Sequence, residues 1–227
     1  MRPLSARPVR TFLAAAVLLG LAGCADRVAE PPRVGGTFPA VDDGADVPGF
    51  AAFRDSLRAA VARRDTAALV ATVAQGARLS FGDDAGGPEG FRAMWLAGAP
   101  PAGEPVWAVL DRLLDAGSVS EDGAVTVPYV FGAWPDSVDA FTHVAVVGDD
   151  VAARTAAHDT AAVAARLSHV ILAVDGPAAD GFVPVRLPGG GAAFVASAST
   201  MSPAGFRATF FPDDAGAWKL QMFLSGD

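Results

Sequence analysis

The sequence predicts an α+β protein in which helices come first and strands follow. Three features carry that expectation. Apolar residues recur at helical spacing between Phe50 and Leu114, and the period switches to two at Val125. The chain then closes on two apolar runs parted by Asp213-Asp214-Ala215-Gly216, the pattern of a terminal β-hairpin.

Phe50, Phe53, Leu57 and Val61 define an amphipathic first helix, with Arg54, Arg58 and Arg63 expected on its other side. Asp65 has the character of an N-cap for a short second helix, in which Leu69, Val70 and Val73 face inward and Gly76 marks the end. Residues 78–81 suggest a short strand, followed by a Gly- and Asp-rich turn through Asp83 to Pro88. Phe91, Met94 and Trp95 suggest a third helix, broken at Pro100-Pro101. Val106, Val109, Leu110, Leu113 and Leu114 make the clearest helical stripe.

Beyond it, Val125, Val127, Tyr129 and Phe131 alternate as a strand that stops at Trp134-Pro135. Strand-like runs follow at 142–147, 163–167, 169–174, 182–186 and 193–196, mostly separated by Gly, Asp and Pro. That spacing indicates a small antiparallel barrel or sandwich. Residues 206–211 and 218–224 form the closing hairpin.

The N-terminus carries a different kind of information. Arg2, Arg7 and Arg10 precede an apolar stretch from Thr11 to Ala22 that ends in Leu21-Ala22-Gly23-Cys24. A bilayer-spanning helix needs about 20 apolar residues, so this stretch reads as a cleaved signal. Cys24 is the sole cysteine, so no disulfide can form within one chain. The ending resembles a bacterial lipobox. The resemblance implies thioether lipidation of Cys24, cleavage before it, and attachment to the membrane through acyl chains. Two or three chains make a durable anchor where one is marginal. Ala25 after the cysteine, in place of Asp, implies the outer membrane facing the periplasm if the host is Gram-negative. Residues 25–48, rich in Pro, Gly and Asp, read as a disordered tether.

Composition excludes one partner class. The formal charge is −8, falling to −11 when Arg2, Arg7 and Arg10 leave with the leader. Such a surface repels phosphate backbones, so nucleic acid is not an expected partner.

Two further resemblances set expectations for the folded part. Val151-Ala152-Ala153-Arg154-Thr155, Phe182-Val183-Pro184-Val185 and Gly190-Gly191-Ala192-Ala193-Phe194-Val195 stand where a bacterial SH3-like domain places its motifs. The resemblance implies a small SH3-like β-barrel over residues 142–201, with Arg154, Phe182 and Phe194 as binding residues. Residues 50–81 and the closing hairpin resemble the flanks of the cone-shaped nuclear-transport-factor-like domains. The overall arrangement is similar to SH3-domain-containing bacterial lipoproteins. The expected organisation is therefore a signal peptide (1–23), a tether (24–48), a helix-rich α+β region (49–141), the barrel (142–201), and a hairpin (202–227) packed on the helix-rich region.

No catalytic constellation emerges. His143, His158 and His169 fit no metal-ligand spacing. Asp83-Asp84 and Asp213-Asp214 sit in turns, where adjacent acids ordinarily cap the backbone. Gly189-Gly190-Gly191 lacks the following helix that a phosphate loop requires. The expectation is a non-catalytic, lipid-anchored envelope protein without cofactor or metal, binding cell-wall material or a protein partner. One alternative is a small-ligand cavity or simple acid–base site in the cone-like part, lined by Trp95, Tyr129 and Asp83. A second is an accessory that docks onto another envelope protein during assembly.

Overall fold

Two mixed β-sheets, not a helical half and a closed barrel, organise this chain. The computed structural model describes residues 30–82 and 86–226. From Pro31 onward the chain forms one compact unit. In chain order, β1 (Arg33–Gly35) is followed by α1 (Phe50–Arg63), α2 (Thr66–Ala71) and β2 (Val73–Arg78). Next come α3 (Gly87–Phe91), which runs into a π-helical turn at Arg92–Leu96, then α4 (Val106–Asp115), β3 (Val119–Glu121), β4 (Ala124–Val127) and α5 (Tyr129–Gly132). The remainder is almost entirely strand: β5 (His143–Val146), β6 (Val151–Arg154), β7 (Val163–Ser168), β8 (Val170–Val174), β9 (Phe182–Arg186), β10 (Ala192–Ala196), β11 (Thr200–Met201), β12 (Arg207–Pro212) and β13 (Trp218–Leu224).

The first sheet has the order β2-β13-β12-β4-β3. Its hairpin β12–β13 is antiparallel with a bulge at Thr209/Phe210, and β2 joins β13 in parallel. One face carries Val125, Val127, Ala208, Phe210 and Leu220 against Phe50, Leu57 and Val61 of α1 and Val109, Leu110, Leu113 and Leu114 of α4. Phe210 is central, with ring centroids 5.6 Å from Phe50 and 5.4 Å from Phe53. Local chemistry starts α2 as expected, the Asp65 carboxylate accepting from the Ala68 N–H at 3.0 Å as an N-cap, but the helix ends at Ala71, and Val73 and Gly76, expected within it and at its end, belong to β2.

The second sheet corrects the expected fold class. Its order is β1-β7-β6-β10-β9-β8-β5-β11, eight strands among the described residues, and it does not close. The SH3-like β-barrel over 142–201 is overturned, as is a helix-rich α+β body with a small barrel attached. The physical reason lies at the two edges. Arg33–Gly35, from the segment expected to be tether, pairs in parallel with β7, while Thr200–Met201 pairs with β5 at the far edge. The sheet thus grows past what a five-stranded barrel would seal. Its own core is small and aliphatic: Val144, Val146, Leu167, Leu172, Val185 and Val195.

A third apolar cluster joins the halves. Phe38, Tyr129, Val130, Ala145 and Met201 are buried together, with Phe38 stacked on Tyr129 at 5.2 Å and edge-on to Trp134 at 5.7 Å. Phe38 too comes from the segment expected to be tether. Tyr129 and Phe131 were expected in a strand, but Pro128 offers no N–H to a ladder, so pairing ends at Val127 and a helical turn begins. That turn delivers Tyr129 to the junction of the sheets.

Candidate functional site

Arg54 is a charged residue held inside the fold. It follows Phe50 by four residues and precedes Leu57 by three, so helical geometry places it on the buried face of α1. It is only 7% exposed, contrary to its expected outward position. Its guanidinium grips Asp42 with two bonds, Nη1 to Oδ1 at 2.5 Å and Nη2 to Oδ2 at 2.9 Å. The Ser118 hydroxyl donates to Asp42 Oδ1 at 2.7 Å and accepts from the Gly44 N–H at 3.0 Å. The donated bonds from Arg54 hold the Asp42 carboxyl below its ordinary range, and the same contact raises Arg54. Every oxygen and hydroxyl in this cluster is used, which makes it a structural clasp.

The clasp fixes one wall of a cleft between the sheets. The strap Ala40-Val41-Asp42 is pinned to Gly117-Ser118, with the Ser118 N–H donating to the Val41 carbonyl at 3.0 Å. Gly117 has φ of 73°, and a Cβ there would lie 2.2 Å from the Val41 carbonyl oxygen. Both features demand glycine. A Gly117→Ala variant should lose about 2 kcal/mol, combining left-handed strain with a backbone clash. Urea unfolding checks it; an unchanged midpoint would mean the strap is not held as described.

The cleft encloses about 580 Å³. Arg54 and Arg58 of α1, Arg112 and Asp115 of α4, Tyr129, His169 and Met201 contribute to its walls. Three guanidiniums, Arg54, Arg58 and Arg112, stand in or beside this lining, each with a carboxylate partner: Asp42, Asp115 and Glu104. Arg58 donates to the Leu114 carbonyl and pairs with Asp115 at 3.0 Å, and Arg112 pairs with Glu104 at 3.0 Å. Asp115 and Glu104 are themselves 69% and 45% exposed. Ion pairs so open to water contribute about 0–1 kcal/mol and exchange readily. The Arg58 and Arg112 guanidiniums are therefore available to a competing anion, whereas Arg54 is not.

Unsatisfied polar atoms concentrate in the same place. The Tyr129 hydroxyl, His169 Nδ1, and Nε of Arg54 and of Arg58 are all buried without a hydrogen-bond partner among the described residues. All four residues line this cleft. A buried polar group left unpaired costs about 1–3 kcal/mol. Tyr129 is 1% exposed, and burial raises its pKa above the ordinary 10, so the phenol stays protonated and can donate. His169 sits between β7 and β8 at φ of 45°, left-handed backbone that favours glycine. Its Nε2 lies 3.7 Å from Asp149. Strain and an unused buried nitrogen at one residue are a combination found at functional positions.

A larger depression of about 880 Å³ lies along Phe211, Lys219 and Gln221. Lys219 is tied to the Ala71 carbonyl at 2.9 Å, and none of the buried unpaired side-chain atoms lines it. The inter-sheet cleft is the better site on chemistry.

Comparison with family models, with curated proteins and with solved structures finds no match for this chain. The site therefore rests on its own geometry.

The residues expected from sequence fall in several places. Cys24 and Asp83 lie outside the described residues. Trp95 and Tyr129 line different cavities, so the expected pocket of Trp95, Tyr129 and Asp83 is not assembled as one. Trp95 packs on Phe206 and Phe223 at 5.3 and 4.7 Å, and Tyr129 is in the cleft. Arg154, expected as a binding residue, donates from its Nη1 to the Ala161 carbonyl at 2.9 Å. Phe194 is opposite Arg154 on the neighbouring strand, and Phe182 is buried. None of these three lines the cleft. Sequence reasoning missed Asp42, Arg58, Arg112 and Ser118. Arg54 alone carried a readable signal, through its spacing from Phe50 and Leu57.

Proposed function

We propose that this chain is a non-catalytic, lipid-anchored cell-envelope protein that binds a small anionic molecule in the cleft between its two sheets. The observation that supports this best is the convergence of a buried, protonated Tyr129 hydroxyl and a buried His169 nitrogen, both unpaired, beside the exchangeable Arg58 and Arg112. A carboxylate or phosphate group replaces Asp115 and Glu104 on the two guanidiniums and accepts from Tyr129. The net gain comes mainly from satisfying groups that are otherwise desolvated for nothing. Arg54 and Asp42 keep the wall in place and do not bind. The anchor rests on Leu21-Ala22-Gly23-Cys24. No helix among the described residues is long and apolar enough to cross a membrane.

Titration calorimetry with succinate, butanoate and phosphate tests the cleft. Saturable one-to-one binding is expected for at least one of them, weakened about tenfold or more in Arg58→Gln/Arg112→Gln, a loss of roughly 1.4 kcal/mol. Silence from all three anions, or an unaffected double variant, refutes the assignment. The anchor is tested separately by feeding cells labelled palmitate. The native protein should take up label and Cys24→Ser should not; equal labelling of both excludes Cys24 as the acceptor.

A further inference from the structure

The hollow beside Trp95 shares no lining residue with the cleft, and its chemistry is different. It is built on a break in helical regularity. Helix α3 runs on into the π-helical turn Arg92–Leu96, which carries both Met94 and Trp95. Single π-helical turns of this kind recur at functional sites. Trp95 is 4% exposed, and its indole N–H has no hydrogen-bond partner among the described residues. An indole can only donate, so the missing partner is an acceptor.

The remaining walls narrow the choice of guest. The hollow encloses about 270 Å³, at the small end for ligand pockets, which suits a group the size of one sugar ring. Leu79 and Leu224, both buried, give it apolar walls, and Ser80 and Ser225 add hydroxyls. Phe81 gives an aromatic wall that is 51% exposed, with the Arg207 guanidinium over its ring at 5.6 Å. No ionisable side chain lines the hollow among the described residues, so a charged guest would be desolvated there without a partner. The fitting guest is neutral, carries an oxygen acceptor, and combines apolar surface with hydroxyls.

We propose that this hollow binds a neutral acetamido sugar. The acetamido carbonyl accepts from the Trp95 N–H, and its methyl lies against Leu79 and Leu224. The C–H face of the sugar ring covers Phe81, and the ring hydroxyls meet Ser80 and Ser225. A plain hexose has neither carbonyl nor methyl to offer and leaves the indole unpaired. The site is independent of the anion site in the cleft.

The indole N–H is itself the reporter. The chain has four tryptophans, hence four indole signals in a ¹H–¹⁵N correlation spectrum, and Trp95→Phe assigns the one that matters. Titration of the full chain with N-acetylglucosamine should move the Trp95 signal saturably, while glucose at equal concentration should not. Trp95→Phe should weaken N-acetylglucosamine at least about fivefold, the worth of one hydrogen bond. Met94→Trp, which fills the hollow from a half-buried position, keeps the Trp95 reporter and should abolish its response, with phosphate binding in the cleft unchanged. A motionless Trp95 signal, or an equal response to glucose, overturns the acetamido site. So does a response that survives Met94→Trp, since the sugar would then bind elsewhere.

Discussion

Replacing Phe210 by alanine should destabilise the protein by about 4 kcal/mol, within the range for deleting a buried aromatic ring. Phe210 is fully buried on β12, between β4 and β13, and its ring contacts both Phe50 and Phe53 of α1. It is where the five-stranded sheet meets its helices. Phe50 in turn meets Trp218 at 5.0 Å, so the void cannot collapse without moving α1, β12 and β13 together. Single domains are held by about 5–15 kcal/mol in total, so a loss of this size removes a large share. Urea unfolding followed by far-ultraviolet circular dichroism reads the effect. A loss below about 1 kcal/mol would mean that α1 and the sheet are not packed through this ring.

The second large effect is at the clasp. Asp42→Asn removes the charge that Arg54 was built to meet and leaves a guanidinium that is 9% exposed facing a neutral amide. Removing one partner of a buried pair typically costs about 3–5 kcal/mol. Asp42 is 40% exposed, so water softens the loss and about 3 kcal/mol is expected. The same pair predicts a pH dependence. The Asp42 carboxyl titrates below its ordinary 3.8 because Arg54 donates to it. Its stabilisation is complete above the unfolded-state value and fades as pH falls through the lower folded-state value. The native protein should therefore lose stability more steeply than Asp42→Asn, whose amide does not titrate, as pH falls through and below the ordinary carboxylate range. Parallel acid-unfolding curves for the two would contradict the clasp.

Local order was readable where local chemistry decides it. The stripe on α4, the Asp65 cap and the terminal hairpin all follow from spacing and turn residues, because helices and hairpins close over short separations. The sheet topology was not readable. Arg33-Val34-Gly35 has too few apolar residues to announce a strand, and it becomes one only because β7 presents an open edge to it. Pro128 was the overlooked signal in the alternating run from Val125 to Phe131, and it decides that Tyr129 enters the junction. The site was less legible still. Asp42 and Ser118 are 76 residues apart, and His169 lies between β7 and β8 of the eight-stranded sheet whereas Arg54 and Arg112 are on helices packed against the other sheet, so nothing in sequence spacing could assemble them. The SH3-like motifs misled for a related reason. Short Val- and Ala-rich strands parted by glycine suit a closed barrel and an open sheet equally, and the edge strands decide between them.

The central claim is that the cleft between the sheets, and not the wider groove at Lys219, takes an anionic ligand. Backbone amide shifts recorded during titrations with succinate, butanoate and phosphate test it most directly. Saturable shifts at Gly117, Gly148 and Ala198, with Gly76 and Gln221 unmoved, are the predicted result. Shifts centred on Gly76, Lys219 and Gln221, with the cleft silent, would contradict it.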